Sequence, residues 1–166
     1  MDFCIYFDES IKLDQPSGNH SYYGALGGDK TEIDEIIKEI KDINNDETSK
    51  SELHFVNYTS DNHFGKYFKI LHMILNKNIK INIVIVNKQD AHFIADRMNI
   101  SISELRELFY VKLPERLFYG MTRNLKLGEQ VEIIIDKNSE YEKIDLDTKL
   151  EEQMNAHSAY KKKDTK

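Results

Sequence analysis

The feature that most constrains this chain lies in its first ten residues, where the alternating run Phe3-Cys4-Ile5-Tyr6-Phe7 leads directly into Asp8-Glu9-Ser10. Strand side chains alternate between faces, so Phe3, Ile5 and Phe7 belong to one side of a sheet, and Cys4, Tyr6 and Asp8 to the other. Asp and Glu are poor strand formers, and two of them closing an apolar strand require a reason. A polar turn at the strand end is one reading. A site for a hard divalent cation, which is held by carboxylate oxygens, is the other.

The order of the remaining segments sets the architecture. Lys12 to Ser21, with Pro16 and Gly18, reads as a loop, and Tyr22 to Gly28 as a second strand whose glycines fit neither a dinucleotide nor a Walker spacing. Ile33, Ile36, Ile37, Ile40 and Ile43 form the stripe of a first helix, with Thr31 as its expected N-cap and Asp34 in the capping-box position. Asn44 to Ser51 is a polar connection that runs into Glu52-Leu53-His54-Phe55, a second place where an acid meets apolar residues. A second helix is expected over His63 to Asn76, a strand over Ile79 to Val86, and a short helix over Asp90 to Asn99. Ser101 and Glu104 offer a capping box to a long helix from about Ser103 to Lys126, which Pro114 is expected to kink or divide. Val131 to Ile135 alternates as a strand and ends in Asp136. Ser139 to Tyr160 is amphipathic at Leu146, Leu150 and Met154, and Lys161-Lys162-Lys163 follow. Strands and helices in this order predict an α/β layer architecture.

At 166 residues the chain is the size of one domain, expected over residues 1–160, with 161–166 as a basic, flexible tail. No run is long enough for a membrane span, and a single cysteine, Cys4, excludes an internal disulfide and a cysteine-rich zinc site; a cytoplasmic setting is the simplest expectation. The net charge of -6 argues against a bare nucleic-acid-binding surface but not against a nuclease, whose acids are neutralised by metal.

Asp8, Glu52 and Asp136 thus recur as acids beside apolar segments. If the strands bearing Asp8 and Asp136 are neighbours, the two carboxylates leave the same sheet edge, where their repulsion calls for a cation between them. Two-metal phosphodiester chemistry is built on such clusters. Phe7-Asp8-Glu9-Ser10, the Gly-rich strand ending Leu26-Gly27-Gly28, Glu52-Leu53-His54 and Ile133-Ile134-Ile135-Asp136 together resemble the domain-of-unknown-function 3800 family. That resemblance covers about residues 3–140. It implies an RNase H-like mixed central sheet flanked by helices and a metal-dependent nuclease, often of prokaryotic or phage origin. By the same resemblance, Asp8, Glu52 and Asp136 would be the catalytic ligands of Mg²⁺ or Mn²⁺, with Glu9 as an outer partner. The chain departs from the family in two respects: Ile11 stands where a Gly usually follows Asp-Glu-Ser, and no helix bearing a further Asp is evident after Asp136. A truncated or catalytically degenerate interaction module is therefore the rival expectation.

His54, two residues from Glu52, shares its side if the segment is extended and is a candidate proton shuttle. The other histidines lack the i, i+4 spacing of helical zinc ligands. Lys112, Arg116 and Arg123 fall on one side of the long helix and are candidate phosphate contacts, although a solvated face with Glu115 paired along it explains them too. Ser10 lacks the glycine-flanked elbow of hydrolase serines, and Cys4 reads as a packing residue. The expected partner is a nucleic acid, with a homodimer if apolar surface is left uncovered.

Overall fold

In the computed structural model, which describes residues 2–45, 61–126, 128–136 and 138–161, the N-terminal alternation forms β1 (Phe3–Ser10). β2 (His20–Asp29) pairs with it antiparallel, Phe3 opposite Asp29 and Ser10 opposite Tyr22. β3 (Lys80–Asn87) continues the sheet antiparallel beyond β2. β4 (Val131–Ile135) lies on the other side of β1 and runs parallel to it, Phe3 opposite Val131 and Phe7 opposite Ile135. The order is β3-β2-β1-β4. A parallel neighbour requires a crossover, and the chain between β3 and β4 holds α3 (Lys88–Met98) and α4 (Ile102–Thr122). The result is the mixed central sheet flanked by helices that an RNase H-like fold requires.

Each face of the sheet is covered by what its alternation selects. Phe3, Ile5 and Phe7 of β1, with Tyr23 and Ala25 of β2, pack on Tyr110, Leu117, Phe118 and Met121 of α4. Phe7 meets Phe118 edge to face at 5.7 Å. Tyr141 of α5 (Ser139–Lys143) and Leu146 and Leu150 of α6 (Leu146–Lys161) complete this layer. On the opposite face, Cys4, Tyr6 and Leu26 meet Ile33 and Ile36 of α1 (Lys30–Asn45) and Met73 and Ile74 of α2 (Asp61–Leu75).

Several ends differ from those the sequence predicts. Asp29, not Thr31, caps α1: its Oδ1 accepts from the Thr31 backbone N–H at 3.0 Å and from the Thr31 hydroxyl at 2.6 Å. Asn87 caps α3 by accepting from Gln89 N at 2.8 Å, which starts that helix two residues before Asp90. The Ser101–Glu104 capping box is present on α4, and the helix passes through Pro114 as one element but ends at Thr122 rather than Lys126. After Asp136 the chain does form helices: the amphipathic remainder divides at Ile144 and Asp145 into α5 and α6, the latter burying Leu146 and Leu150 against the core. Among the described residues no helix is long and apolar enough to cross a membrane.

Candidate functional site

Asp8 lies in β1 immediately after Phe7, and Asp136 follows Ile135 at the end of β4. Because Phe7 and Ile135 are parallel partners, the two acids leave adjacent strands, about 4.8 Å apart in backbone spacing, at one sheet edge. Both are exposed, and both line a cleft of about 340 Å³ with Phe7, Glu9, Ile135, Asn138, Ser139 and Tyr141. The Glu9 backbone N–H donates to Asp8 Oδ1 at 2.8 Å, which fixes one oxygen of that carboxylate. Two open carboxylates of like charge, with only oxygen to offer, suit a hard cation.

Glu52 and His54 lie outside the described residues. Among the described residues, no group of three or more His, Cys, Asp or Glu side chains is placed to share one ion. Among the described residues, none from α6 contributes to the cleft lining.

Glu9 sits on the other side of β1 from Asp8, at the end of the row begun by Phe3, Ile5 and Phe7. Among the described residues its Oε2 is buried without a hydrogen-bond partner. Burial pushes the Glu9 carboxyl up, against the Tyr141 and Tyr110 hydroxyls and the Lys12 charge, which pull it down. Burial and then the Glu9 charge push the phenols of Tyr23, Tyr110 and Tyr141 up, so all three stay neutral donors.

A polar network ties this corner together. Glu140 of α5 accepts from the Tyr110 hydroxyl at 3.0 Å and pairs with Lys12 at 3.1 Å and Arg106 at 3.3 Å. Arg106, whose side chain is 11% exposed, also pairs with Asp14. Burial alone raises the Glu140 carboxyl, but the Lys12 and Tyr110 hydrogen bonds and the Arg106 charge outweigh it and hold the group below its usual range. The network joins the loop after β1, α4 and α5, and Glu140 is flanked in the chain by Ser139 and Tyr141 of the cleft lining. Arg106, Glu140 and the three tyrosines escape a reading of the sequence; the pair Glu140-Tyr141, four residues past a strand-end acid, is the nearest thing to a signal.

The basic stripe is partly committed to the fold. Lys112 Nζ donates to Glu115 at 2.9 Å and to Gln153 of α6 at 2.7 Å. Arg116 is exposed on α4, and Arg123 is exposed at its C-cap.

Comparisons with protein-family models, curated proteins and solved structures find no match to this chain.

Proposed function

We propose that the chain is a metal-dependent phosphodiester hydrolase, a nuclease, in which Asp8, Glu52 and Asp136 hold Mg²⁺ or Mn²⁺. The observation that carries the reading is the parallel pairing of β1 with β4, which brings two exposed carboxylates to the lining of one cleft. An ion bound there supplies the positive charge that activates water and stabilises a leaving oxygen.

The chain's own groups then divide the remaining work. Glu9 orients Asp8 through its backbone N–H, and the network of Glu140, Arg106 and Lys12 holds α5 and the loop after β1 in place around the cleft. His54 acts as the proton shuttle in this reading. Lys112, Arg116 and Arg123 are its phosphate contacts, and the Lys112 ammonium is shared with Glu115 and Gln153. The same reading places the protein in the cytoplasm, in a phage or prokaryotic defence setting.

The test is calorimetric titration of Mn²⁺ into the unmodified protein and into Asp8→Asn, followed by cleavage assays on single-stranded, duplex and hybrid nucleic acids. Metal uptake that is lost in Asp8→Asn, together with metal-dependent cleavage, supports the reading. No uptake by the unmodified chain overturns it, and uptake that survives Asp8→Asn moves the site elsewhere. Uptake without cleavage of any substrate makes the chain a degenerate interaction module.

A further inference from the structure

α2 is apolar on two opposite sides. Met73 and Ile74 pack against the Ile33–Ile36 cluster of α1. Phe64, Phe68, Leu71 and Leu75, at intervals of four, three and four, form a second stripe on the side turned away from that contact, and each is more than half exposed. A helix that is apolar all round is a buried helix. The alternation of four and three is the spacing of a helix-pairing seam.

β3 adds to the same layer. Among the described residues it is an edge strand, and its Ile81, Ile83 and Ile85 stand opposite Leu26, Gly24 and Tyr22 of β2. Cross-strand partners share a face, and Leu26 belongs to the α1–α2 layer, so the three isoleucines do too. They are 43–63% exposed. Edge strands are normally guarded by lysines, prolines or bulges. Here the register with β2 is unbroken, the strand contains no proline, and both flanking lysines turn inward. Lys80 Nζ donates to the Met121 carbonyl at 2.5 Å, and Lys88 Nζ to the carbonyls of Gln15 and Ser17 at 2.7 Å each.

We propose that this face is the contact of a homodimer, in which a second copy pairs its β3 antiparallel to this one and sets its α2 stripe against the first. Three observations favour a copy of the chain over another occupant. A two-fold contact brings each residue near its own equivalent and is opposed by formal charge; the seven exposed side chains carry none. The outer row of β3 backbone groups is complementary to an identical strand running the other way. Seven half-exposed side chains at roughly 100 Å² each offer about 700 Å² per protomer, close to the ~800 Å² per partner of a standard interface.

The experiment is light-scattering mass measurement of the full chain over a concentration series, beside Ile83→Lys and Leu71→Glu. The unmodified chain is expected at twice its 19.5 kDa. Each variant is expected to weaken dimerisation at least about tenfold with an unchanged far-ultraviolet circular dichroism spectrum. Mixing Leu71→Glu with Leu71→Lys is expected to restore the dimer, which only a contact between like stripes produces. A chain that stays monomeric at every concentration overturns the proposal, as does a dimer that survives all the substitutions. Monomers that bind single-stranded DNA through the stacked rings of Phe64 and Phe68 overturn it in favour of a base-stacking surface.

Discussion

Phe7 and Ile135 are parallel partners across β1 and β4, and the residue after each is an aspartate lining the same cleft. Two adjacent like charges are tolerated in water and favoured by a cation between them. Replacing either one therefore acts in opposite directions with and without metal. Asp8→Asn and Asp136→Asn are each expected to lower Mn²⁺ affinity by about 10- to 100-fold, as altered metal-site groups commonly do. In chelator, each variant melts at or slightly above the unmodified protein. Calorimetry and thermal melts with and without Mn²⁺ measure both; a loss of stability in chelator would show the aspartates to be structural instead.

Ile11 adopts φ 61°, a left-handed conformation that a β-branched residue enters only under strain and that glycine takes freely. The strain is of order 1–2 kcal/mol. Ile11→Gly relieves it but gives up about 0.5–1 kcal/mol in chain entropy and the half-buried Ile11 side chain. A net stabilisation of about 0.5 kcal/mol is expected in urea unfolding. A clear loss would mean that the Ile11 side chain contributes more packing than its backbone costs.

The glycines of β2 separate by what lies beside them. A Cβ on Gly27 would stand 3.0 Å from the Cys4 carbonyl oxygen and 3.0 Å from Phe3 Cε1, whereas among the described residues one on Gly24 would meet only the Asp8 carbonyl oxygen at 3.9 Å. Gly27→Ala is expected to cost about 1–3 kcal/mol because a backbone oxygen cannot yield as a side chain does. Gly24→Ala is expected within about 0.5 kcal/mol of the parent. Equal effects in parallel chemical melts would contradict the close approach.

Arg106, nearly buried itself, joins the partly exposed carboxylates of Asp14 and Glu140. Arg106→Met leaves both carboxylates without that partner and is expected to cost about 2–3 kcal/mol, less than a fully buried pair because Glu140 retains Lys12 and Tyr110. Urea unfolding at neutral pH measures it. A change under about 0.5 kcal/mol would place the network among ordinary surface pairs.

What could be read from the sequence is what local patterning encodes. The alternation of Phe3 to Phe7 and of Val131 to Ile135, the Ser101–Glu104 capping box and the isoleucine stripe of α1 each need only a short window, and each appears in the fold. Asp29 was masked by Thr31, an equally good cap two residues later, and the strand's own end decided between them. The Glu9 corner draws on Lys12, Arg106, Tyr110 and Glu140, which no window holds together. Leu146 and Leu150 were legible as apolar positions of one amphipathic run from Ser139, but its division into α5 and α6 was not, because it rests on the single backbone conformation of Asp145, at φ 52°.

Glu9 gives the fold a pH dependence of definite sign. Burial holds its carboxyl above the ordinary 4.5, against the pull of Tyr141, Tyr110 and Lys12. The folded chain thus keeps this proton more tightly than the unfolded chain. The stability Glu9 contributes is fully present below the unfolded value and is lost as pH rises through the folded one. Glu9→Gln preserves the shape and removes the ionisation. The stability of Glu9→Gln relative to the parent is therefore expected to climb from about pH 4 upward and to level off once the folded carboxyl has ionised. Glu140, held below its usual range, acts in the opposite sense: its contribution is present above the unfolded value and is lost as pH falls through the folded one. Glu140→Gln is thus expected to cost most at neutral pH and least in acid. Urea unfolding across that range distinguishes the two carboxylates, and a pH-independent difference for Glu9→Gln would show that its carboxyl reaches water in the folded chain.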